Sequence, residues 1–214
     1  MDRRTFLTTS GLVAVGAALI PAELLAQAAG GGDAAANALF ERIFHEAVAR
    51  SPELATSLGL DRGPGAALKS QLSPRTAQRR QEDLARVQAA LGQLRALDRA
   101  SLSPANQLNL DVIAYSLEGQ TVAPAKFGID SVVRPYPIFQ QGGAYFRTPD
   151  FLNTAHTIRS GEDAEAYLAR LDAFARILDE DTAEQKAQAA RGFLAPAWSL
   201  DLTLGQMRYL MWVV

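Results

Sequence analysis

Three Ser-Pro pairs stand at the start of segments in which apolar residues recur every three or four positions. They are Ser51-Pro52, Ser73-Pro74 and Ser103-Pro104. A serine at such a place accepts a hydrogen bond from a backbone N–H in the first turn of a helix, and proline fits the first helical position. The pattern predicts an all-α fold, in which helices pack through one apolar face.

The apolar spacing after these starts gives approximate helix boundaries. One stripe, in the segment that follows Ser73-Pro74, consists of Leu84, Val87, Leu91, Leu94 and Leu97. A further start, Ser160 followed by acidic residues, resembles a capping box. The predicted helices are residues 36–50, 52–58, 74–99, 104–119 and 160–191, and a last one from Pro196 onward.

Between residues 120 and 159 the helical spacing disappears. This stretch contains four prolines and a Gly-Gly pair, yet it is rich in aromatic and β-branched residues. A loop of this length without structure is unusual in a compact domain. We therefore expect one long irregular segment that is ordered and packed, with short strands at residues 127–129 and 138–139.

The N-terminus has the three parts of an export signal. Arg3 and Arg4 provide a positive start, residues 11–20 are apolar, and Ala28 ends a small-residue cleavage site. The paired arginines favour the twin-arginine export machinery as a partner, with a plain secretory signal as the alternative. The apolar run is shorter than the about 20 residues of a membrane anchor, so we expect no stable span after cleavage.

These features predict a periplasmic or secreted protein with three parts. They are a signal peptide at residues 1–28, a flexible leader at 29–36 and a helical domain at 37–214. The last residues, 209–214, are apolar and uncapped, and we expect from them that the domain is truncated.

Composition excludes several kinds of chemistry. The chain has no cysteine, which excludes disulfides, a thiol nucleophile and thiolate metal ligands. The formal net charge is -2, which gives no general attraction to nucleic acid. Acidic side chains alone could serve a two-carboxylate glycosidase, but their spacing does not single out such a pair.

No catalytic residue and no metal site is predicted in this chain. A zincin helix needs two histidines four positions apart, and His45-Glu46 begins such a motif, but Ala49 occupies the place of the second ligand. We expect His45 and Glu46 on a helix surface, and His156 in a turn, bonded to backbone near the next helix start. Other charged residues are expected on solvated faces: Arg75, Arg79, Arg80, Asp179, Glu180 and Asp181.

One segment within the irregular stretch is a candidate binding site. Its residues are Gln140, Gln141, Gly142, Gly143 and Tyr145. Paired amides beside paired glycines offer hydrogen bonds to an extended peptide, and the aromatic ring offers apolar contact. The alternative is an ordered loop whose glycines permit tight turns and whose aromatics pack on helices.

Several short runs together resemble the bacterial "domain of unknown function 885" family. They are FERIF at residues 40–44, SPELATSLGLD at 51–61, QQGGAY at 140–145, PDFLN at 149–153 and DAEAYLARL at 163–171. The resemblance implies a mostly helical, often exported protein, similar to zinc metallopeptidases of the thermolysin-like superfamily. In that family the zinc-binding helix lies in the C-terminal half, and no position here matches its ligands.

Two functional expectations follow from this resemblance. The first is the N-terminal fragment of a metallopeptidase-like protein, which lacks the metal motif and is inactive alone. No cofactor is expected in this chain, whereas the resemblance implies zinc for intact family members. The alternative is an extracytoplasmic helical module that binds a peptide without catalysis.

Replacing Arg3 and Arg4 together by lysine should stop export, because the twin-arginine route depends on the paired arginines. The measurement is cell fractionation with N-terminal sequencing of the exported protein, which should begin at Ala29 in the wild type. Unchanged export and processing of the lysine variant would instead indicate a plain secretory signal.

Overall fold

The computed structural model describes residues 31–213. Every regular element in that range is a helix, apart from one isolated bridge between Phe139 and Gly142. The predicted all-α fold is therefore confirmed. The predicted signal peptide and its cleavage site after Ala28 lie outside the described residues, so export remains a prediction.

The α-helices of this range are α1 (Asp33–Ala49), α2 (Pro52–Leu58), α3 (Ala77–Arg95), α4 (Pro104–Phe127), α5 (Ala144–Thr154), α6 (Gly161–Ala190) and α7 (Ala197–Val213), with 3₁₀ helices at Gly63–Ser70 and Arg99–Ser101. The α-helices are joined by short connections, except between α2 and α3, where a 3₁₀ helix intervenes, and before α5. Over the part of the chain that is described, no helix has the length and apolar character needed to cross a membrane.

Two of the three Ser-Pro pairs start helices as predicted. The Ser51 hydroxyl accepts a hydrogen bond from the N–H of Leu54 at 3.4 Å, and the Ser103 hydroxyl accepts one from Asn106 at 3.4 Å. Ser160 caps α6 in the same way, with Asp163 as the donor at 3.2 Å. These helices carry their N-terminal caps in their own sequence.

The remaining pair, Ser73-Pro74, does not start a helix. Ser73 is bonded to Glu53 of α2 through both its backbone N–H, at 2.9 Å, and its hydroxyl. Helix α3 begins instead at Ala77. Thr76 caps it, because its hydroxyl accepts a hydrogen bond from the backbone N–H of Arg79. The predicted start at residue 74 was wrong because a side chain from another helix holds the serine.

The irregular segment is shorter than predicted. Helix α4 continues past Gly119, which lies in open space, and ends at Gly128 with a left-handed φ of 62°. The proposed strands at 127–129 and 138–139 are wrong: the first is a helix end and the second a turn. Within the described range, only residues 128–143 and two shorter connections near α6 remain irregular between α4 and α7.

Helix α1 begins at Asp33, earlier than the sequence predicted. The last residues of the expected leader, 33–36, are therefore helical, and Ala36 is fully buried. The main core forms where α1, α3 and α4 meet. Its buried members are Ala36, Leu39, Ile43, Val87, Ala90, Leu91, Leu94, Leu102, Leu110 and Leu117.

The stripe predicted on α3 thus faces the core, whereas apolar residues of α4 face outward. Leu108, Val112 and Tyr115 are all exposed, Tyr115 by 80%. A second, smaller core lies between α5 and α6, and it includes Ile177.

An arginine is buried where α6 meets α2 and the 3₁₀ helix Gly63–Ser70. Arg170 of α6 is 0% exposed. Its guanidinium donates to the carbonyl oxygen of Gln71 at 3.0 Å, to the carbonyl oxygen of Leu68 at 3.2 Å and to the Thr56 hydroxyl at 2.7 Å. A further N–H lies 2.7 Å from Nδ1 of His156. Five planar donors suit such a divergent set of acceptors.

His156 completes this cluster as a neutral ring. Its Nε2 lies 3.0 Å from the carbonyl oxygen of Asp163, so this nitrogen carries the proton and Nδ1 accepts from Arg170. The prediction that His156 bonds to backbone near a helix start is confirmed. Burial lowers the pKa of the Arg170 guanidinium, while the charges of Asp61 and Glu53 raise it.

Arg170→Lys should lower the free energy of unfolding by about 3 kcal/mol, because an ammonium cannot reach the acceptors that the guanidinium holds. The matched control is Arg95→Lys, at an exposed ion pair with Glu118, where the change should stay below about 0.5 kcal/mol. Urea unfolding followed by circular dichroism measures both. Equally small changes would show that the buried contacts of Arg170 do not stabilise the fold.

Candidate functional site

The irregular residues 128–143, here termed the connecting segment, are tied to one face of α6 by side chains. Gln185 accepts a hydrogen bond from the N–H of Ile138 at 3.1 Å. Gln188 and Arg191 donate to the carbonyl oxygen of Gly128 at 3.2 and 2.8 Å. These α6 residues recur at helical spacing, so a single helix face satisfies backbone groups that have no secondary structure of their own.

The same face of α6 carries a buried carboxylate. Asp181 is 2% exposed. Its Oδ2 accepts a hydrogen bond of 2.6 Å from the N–H of Ala144, at the start of α5, and Oδ1 pairs with Nε of Arg75. A negative charge at a helix N-terminus is favourable, because it satisfies a free N–H group and the helix dipole.

The charged residues that the sequence placed on solvated faces are therefore bonded within the fold. Asp181 is buried, and Glu180 accepts a hydrogen bond from the N–H of Arg75 at 2.6 Å. Arg79 pairs with Asp83 at 2.6 Å, and Arg80 pairs with Glu184. Only Asp179 of the acidic run is exposed. The prediction is confirmed for Asp179 and was wrong for the other five residues, because their partners lie on a different helix or a full turn away.

The paired glycines permit a tight turn at residues 140–145, here termed the Gln-Gly loop. The N–H of Gly142 donates to the carbonyl oxygen of Phe139 at 3.0 Å. A methyl group on Gly142 would overlap the Phe139 ring, and Gly143 has a left-handed φ of 95°. Gln141 also has a positive φ, 61°, a conformation that non-glycine residues rarely adopt.

Helix α7 holds the other side of the Gln-Gly loop. The Tyr145 hydroxyl is 2.9 Å from the carbonyl oxygen of Phe139 and 2.8 Å from Oε1 of Gln206. The same Oε1 accepts a hydrogen bond from the N–H of Gln141 at 3.3 Å. Tyr145 itself is 4% exposed. Its ring thus serves packing and its hydroxyl closes the loop.

Helix α7 turns a polar face inward and an apolar face outward. Ser199 and Thr203 are buried, next to the contacts that Gln206 makes. The outward residues are Trp198, Leu200, Leu202, Leu204, Tyr209 and Met211. This inverted arrangement shows that α7 is held by hydrogen bonds to the loop at least as much as by apolar packing.

The structure brings the five predicted site residues together, with different degrees of access. Gly142, Gly143 and Tyr145 are buried, and the N–H groups of Gln140 and Gln141 are bonded to α7. The side-chain amides of both glutamines have no hydrogen-bond partner in the described part of the chain. Peptide binding at this loop stays a prediction, and the two amides are the groups left to perform it.

A cavity of about 340 Å³ opens beside the loop. The residues that line it include Arg75, Asp130, Arg134, Tyr136, Phe139 and Arg147. Sequence reasoning missed the two arginines that flank the loop, Arg134 and Arg147. Their signal was basic residues on both sides of a Gly-Gly turn, but only the folded turn brings them to one cavity.

The family model described as a bacterial protein of unknown function (DUF885) matches residues 52–213. The chain belongs to the DUF885 family. The match runs from α2 to α7 and includes the Gln-Gly loop, so the resemblance read from the short motifs is confirmed at the level of the family. No curated protein and no solved structure matches the chain. The metallopeptidase-like assignment stays a prediction.

The zinc that the resemblance implies for intact DUF885 proteins does not fit the residues described. Among residues 31–213, no group of three or more His, Cys, Asp or Glu side chains is arranged as metal ligands require. His45 is exposed on α1, as predicted, and Glu46 pairs with Arg42 at 3.4 Å. Both ring nitrogens of His156 are already bonded.

A larger cavity of this DUF885 domain, about 540 Å³, lies between the 3₁₀ helix Gly63–Ser70 and the start of α6. Its charges largely offset one another, since Asp163 pairs with Lys69. Hydrogen bonds from Lys69 and from the backbone N–H of Arg159 lower the pKa of Asp163 to about 2. The remaining charged residues of its lining are Asp61, Arg62, Arg159 and Glu162, so that acidic and basic side chains are equal in number there. The cavity beside the Gln-Gly loop, by contrast, is lined by three arginines and one carboxylate.

Asp181→Asn should lower the free energy of unfolding by about 2 kcal/mol, because the charged acceptor for Ala144 and Arg75 is lost from a buried position. Asp179→Asn is the matched control, two positions away and exposed, and should change stability by less than about 0.5 kcal/mol. Urea unfolding of the two variants checks this. A loss at Asp179 as large as that at Asp181 would contradict the capping role.

Proposed function

We propose that this DUF885 chain is the non-catalytic helical part of an exported, metallopeptidase-like protein, and that it holds an extended peptide against the Gln-Gly loop. The observation that carries the proposal is a loop fixed by internal hydrogen bonds, whose two glutamine amides remain unbonded among the described residues and whose Gly143 lines an open cavity. The same binding role serves the alternative, a peptide-binding module with no catalytic partner.

The rigidity of the loop supports a binding role. Its turn is closed by the bridge between Phe139 and Gly142, its base by Asp181 and its outer side by Gln206. Groups that are already held in place lose little conformational entropy when a ligand arrives, so their contacts contribute more fully to affinity.

The chemistry of the free groups suits a peptide main chain. An amide side chain carries both donors and an acceptor, which matches the alternating N–H and C=O groups of an extended peptide. Tyr136 and Phe139 line the adjacent cavity and contact each other edge to face, with ring centroids 5.9 Å apart. Such rings offer apolar contact for a ligand side chain.

This proposal assigns no catalytic step to the described residues, because they provide no metal ligand set. Peptide hydrolysis in a metallopeptidase-like protein requires a metal-bound water or an equivalent base near the scissile bond. In this proposal the chain supplies one wall of a peptide cleft and contributes orientation. It supplies no group that attacks the peptide bond.

The double variant Gln140→Ala, Gln141→Ala should weaken peptide binding by roughly tenfold, because each lost amide contact contributes about 0.5–1.5 kcal/mol. The probe is a set of fluorescein-labelled, unstructured heptapeptides, titrated with the processed chain and followed by fluorescence anisotropy. Gln88→Ala is the control, since Gln88 is exposed on α3 and far from the loop in sequence.

Two results would overturn the proposal. One is the absence of saturable binding to any heptapeptide. The other is chelator-sensitive hydrolysis of the probes by the chain alone, which would place catalysis within it.

A further inference from the structure

The cavity beside the Gln-Gly loop has an unequal set of charges. Three of its lining residues are arginines, Arg75, Arg134 and Arg147, and one is a carboxylate, Asp130. Arg75 is already paired with the buried Asp181. Asp130 is in turn paired with Arg80, whose Nε lies 3.6 Å from Oδ1 of Asp130. The charges that remain to be satisfied are therefore positive.

Arg134 and Arg147 differ from most arginines of the domain. Their guanidinium groups have no ion pair and no hydrogen-bond acceptor among residues 31–213, although both are exposed at the cavity. By contrast, Arg42 of α1, Arg79 of α3 and Arg176 of α6 each pair with a carboxylate one turn onward on the same helix. Two unpaired guanidinium groups at one cavity are a ready site for an anion.

One of these two groups is also held in position. The guanidinium carbon of Arg134 lies 4.9 Å from the centroid of the Phe139 ring, in cation–π contact. Phe139 is itself fixed, because it closes the turn with Gly142 and packs against Tyr136. Gly142, which has no side chain to overlap the Phe139 ring, therefore also helps to position Arg134. Arg147 approaches the same cavity from the first turns of α5.

We propose that this cavity binds a carboxylate group of the peptide ligand, through Arg134 and Arg147. The inference rests on the proposed peptide-binding function and names the ligand chemistry for the same site. A planar guanidinium donates two parallel hydrogen bonds to a carboxylate, and such charge-assisted pairs are stronger than neutral hydrogen bonds. The loop amides then bind the main chain, and the arginines fix one end or one acidic side chain of the ligand.

Two sources provide this carboxylate: the C-terminus of a peptide and the side chain of an Asp or Glu residue. Both present the same planar anion, so the cavity accepts either in principle. They differ in what lies beyond the anion, because a C-terminal carboxylate ends the chain and an acidic side chain leaves the main chain running past the cavity.

Three N-acetylated, unlabelled peptides, titrated with the processed chain by isothermal titration calorimetry, separate these sources. The first is Ala-Gln-Ala-Phe-Ala-Leu with a free C-terminus, the second is the same peptide with a C-terminal amide, and the third is the amidated peptide with Glu in place of the fourth residue. The free-acid peptide, the glutamate peptide or both should bind the processed chain roughly tenfold tighter than the neutral amide, as charge-assisted hydrogen bonds predict.

The arginine variants test the residues themselves. Arg134→Gln and Arg147→Gln should each reduce the ratio of affinities between the charged peptides and the neutral amide. Arg208→Gln, at an exposed arginine on α7 outside the cavity lining, should preserve the preference. The melting temperature of each variant should equal that of the wild type, because both cavity arginines are exposed.

The outcomes distinguish this inference from the function on which it rests. If all three peptides bind equally well to the wild type, the carboxylate site is overturned while peptide binding stands. A preference that survives both cavity variants would also overturn it. If no peptide binds at all, the proposed function itself fails. Tighter binding of only one charged peptide supports the site and identifies the source of the carboxylate.

Discussion

The buried carboxylate of Asp181 is the contact on which the arrangement around the Gln-Gly loop depends. It joins the N-terminus of α5, the body of α6 and Arg75, which precedes α3. A buried charge is tolerated only when it is fully bonded, and here a helix end and a guanidinium share that task. Because the start of α5 is fixed in this way, the turn that leads into it ends at a fixed point, and its own bridge between Phe139 and Gly142 closes it. The positions of Phe139 and of the loop amides follow from these two constraints.

In the proposed function, the loop has two roles that use different atoms. Its backbone and its glycines are committed to the fold, through the turn at Gly142 and the contacts with α7. The side chains of Gln140 and Gln141 face no partner within the part of the molecule that is described. The two readings of the sequence, a structural loop and a binding loop, are therefore compatible. The structural role of the glycines is what holds the free amides in place.

Local sequence predicted those helices that carry their own caps, such as the ones opened by Ser51 and Ser103. It failed where the partner comes from a distant part of the chain. Helix α5 was missed because its cap is Asp181, 37 residues onward. Asp179 and Asp181 look alike in the sequence, yet the helical period turns one outward and the other into the core. The cavity beside the loop was equally hidden, since it exists only once the turn closes.

The way in which α6 holds the connecting segment has a consequence for the order of folding. Its hydrogen bonds join residues far apart in sequence: 47 positions between Ile138 and Gln185, and 60 between Gly128 and Gln188. Closing such long chain segments is entropically unfavourable until the anchoring helix exists and has docked. Helices α3 and α4 are near neighbours in the chain and can pair before such long segments close, whereas α1 joins them across 70 positions, between Asp33 and Ser103. The proposed binding surface then forms only after α6 has docked, so an ordered connecting segment reports that α6 is already in place.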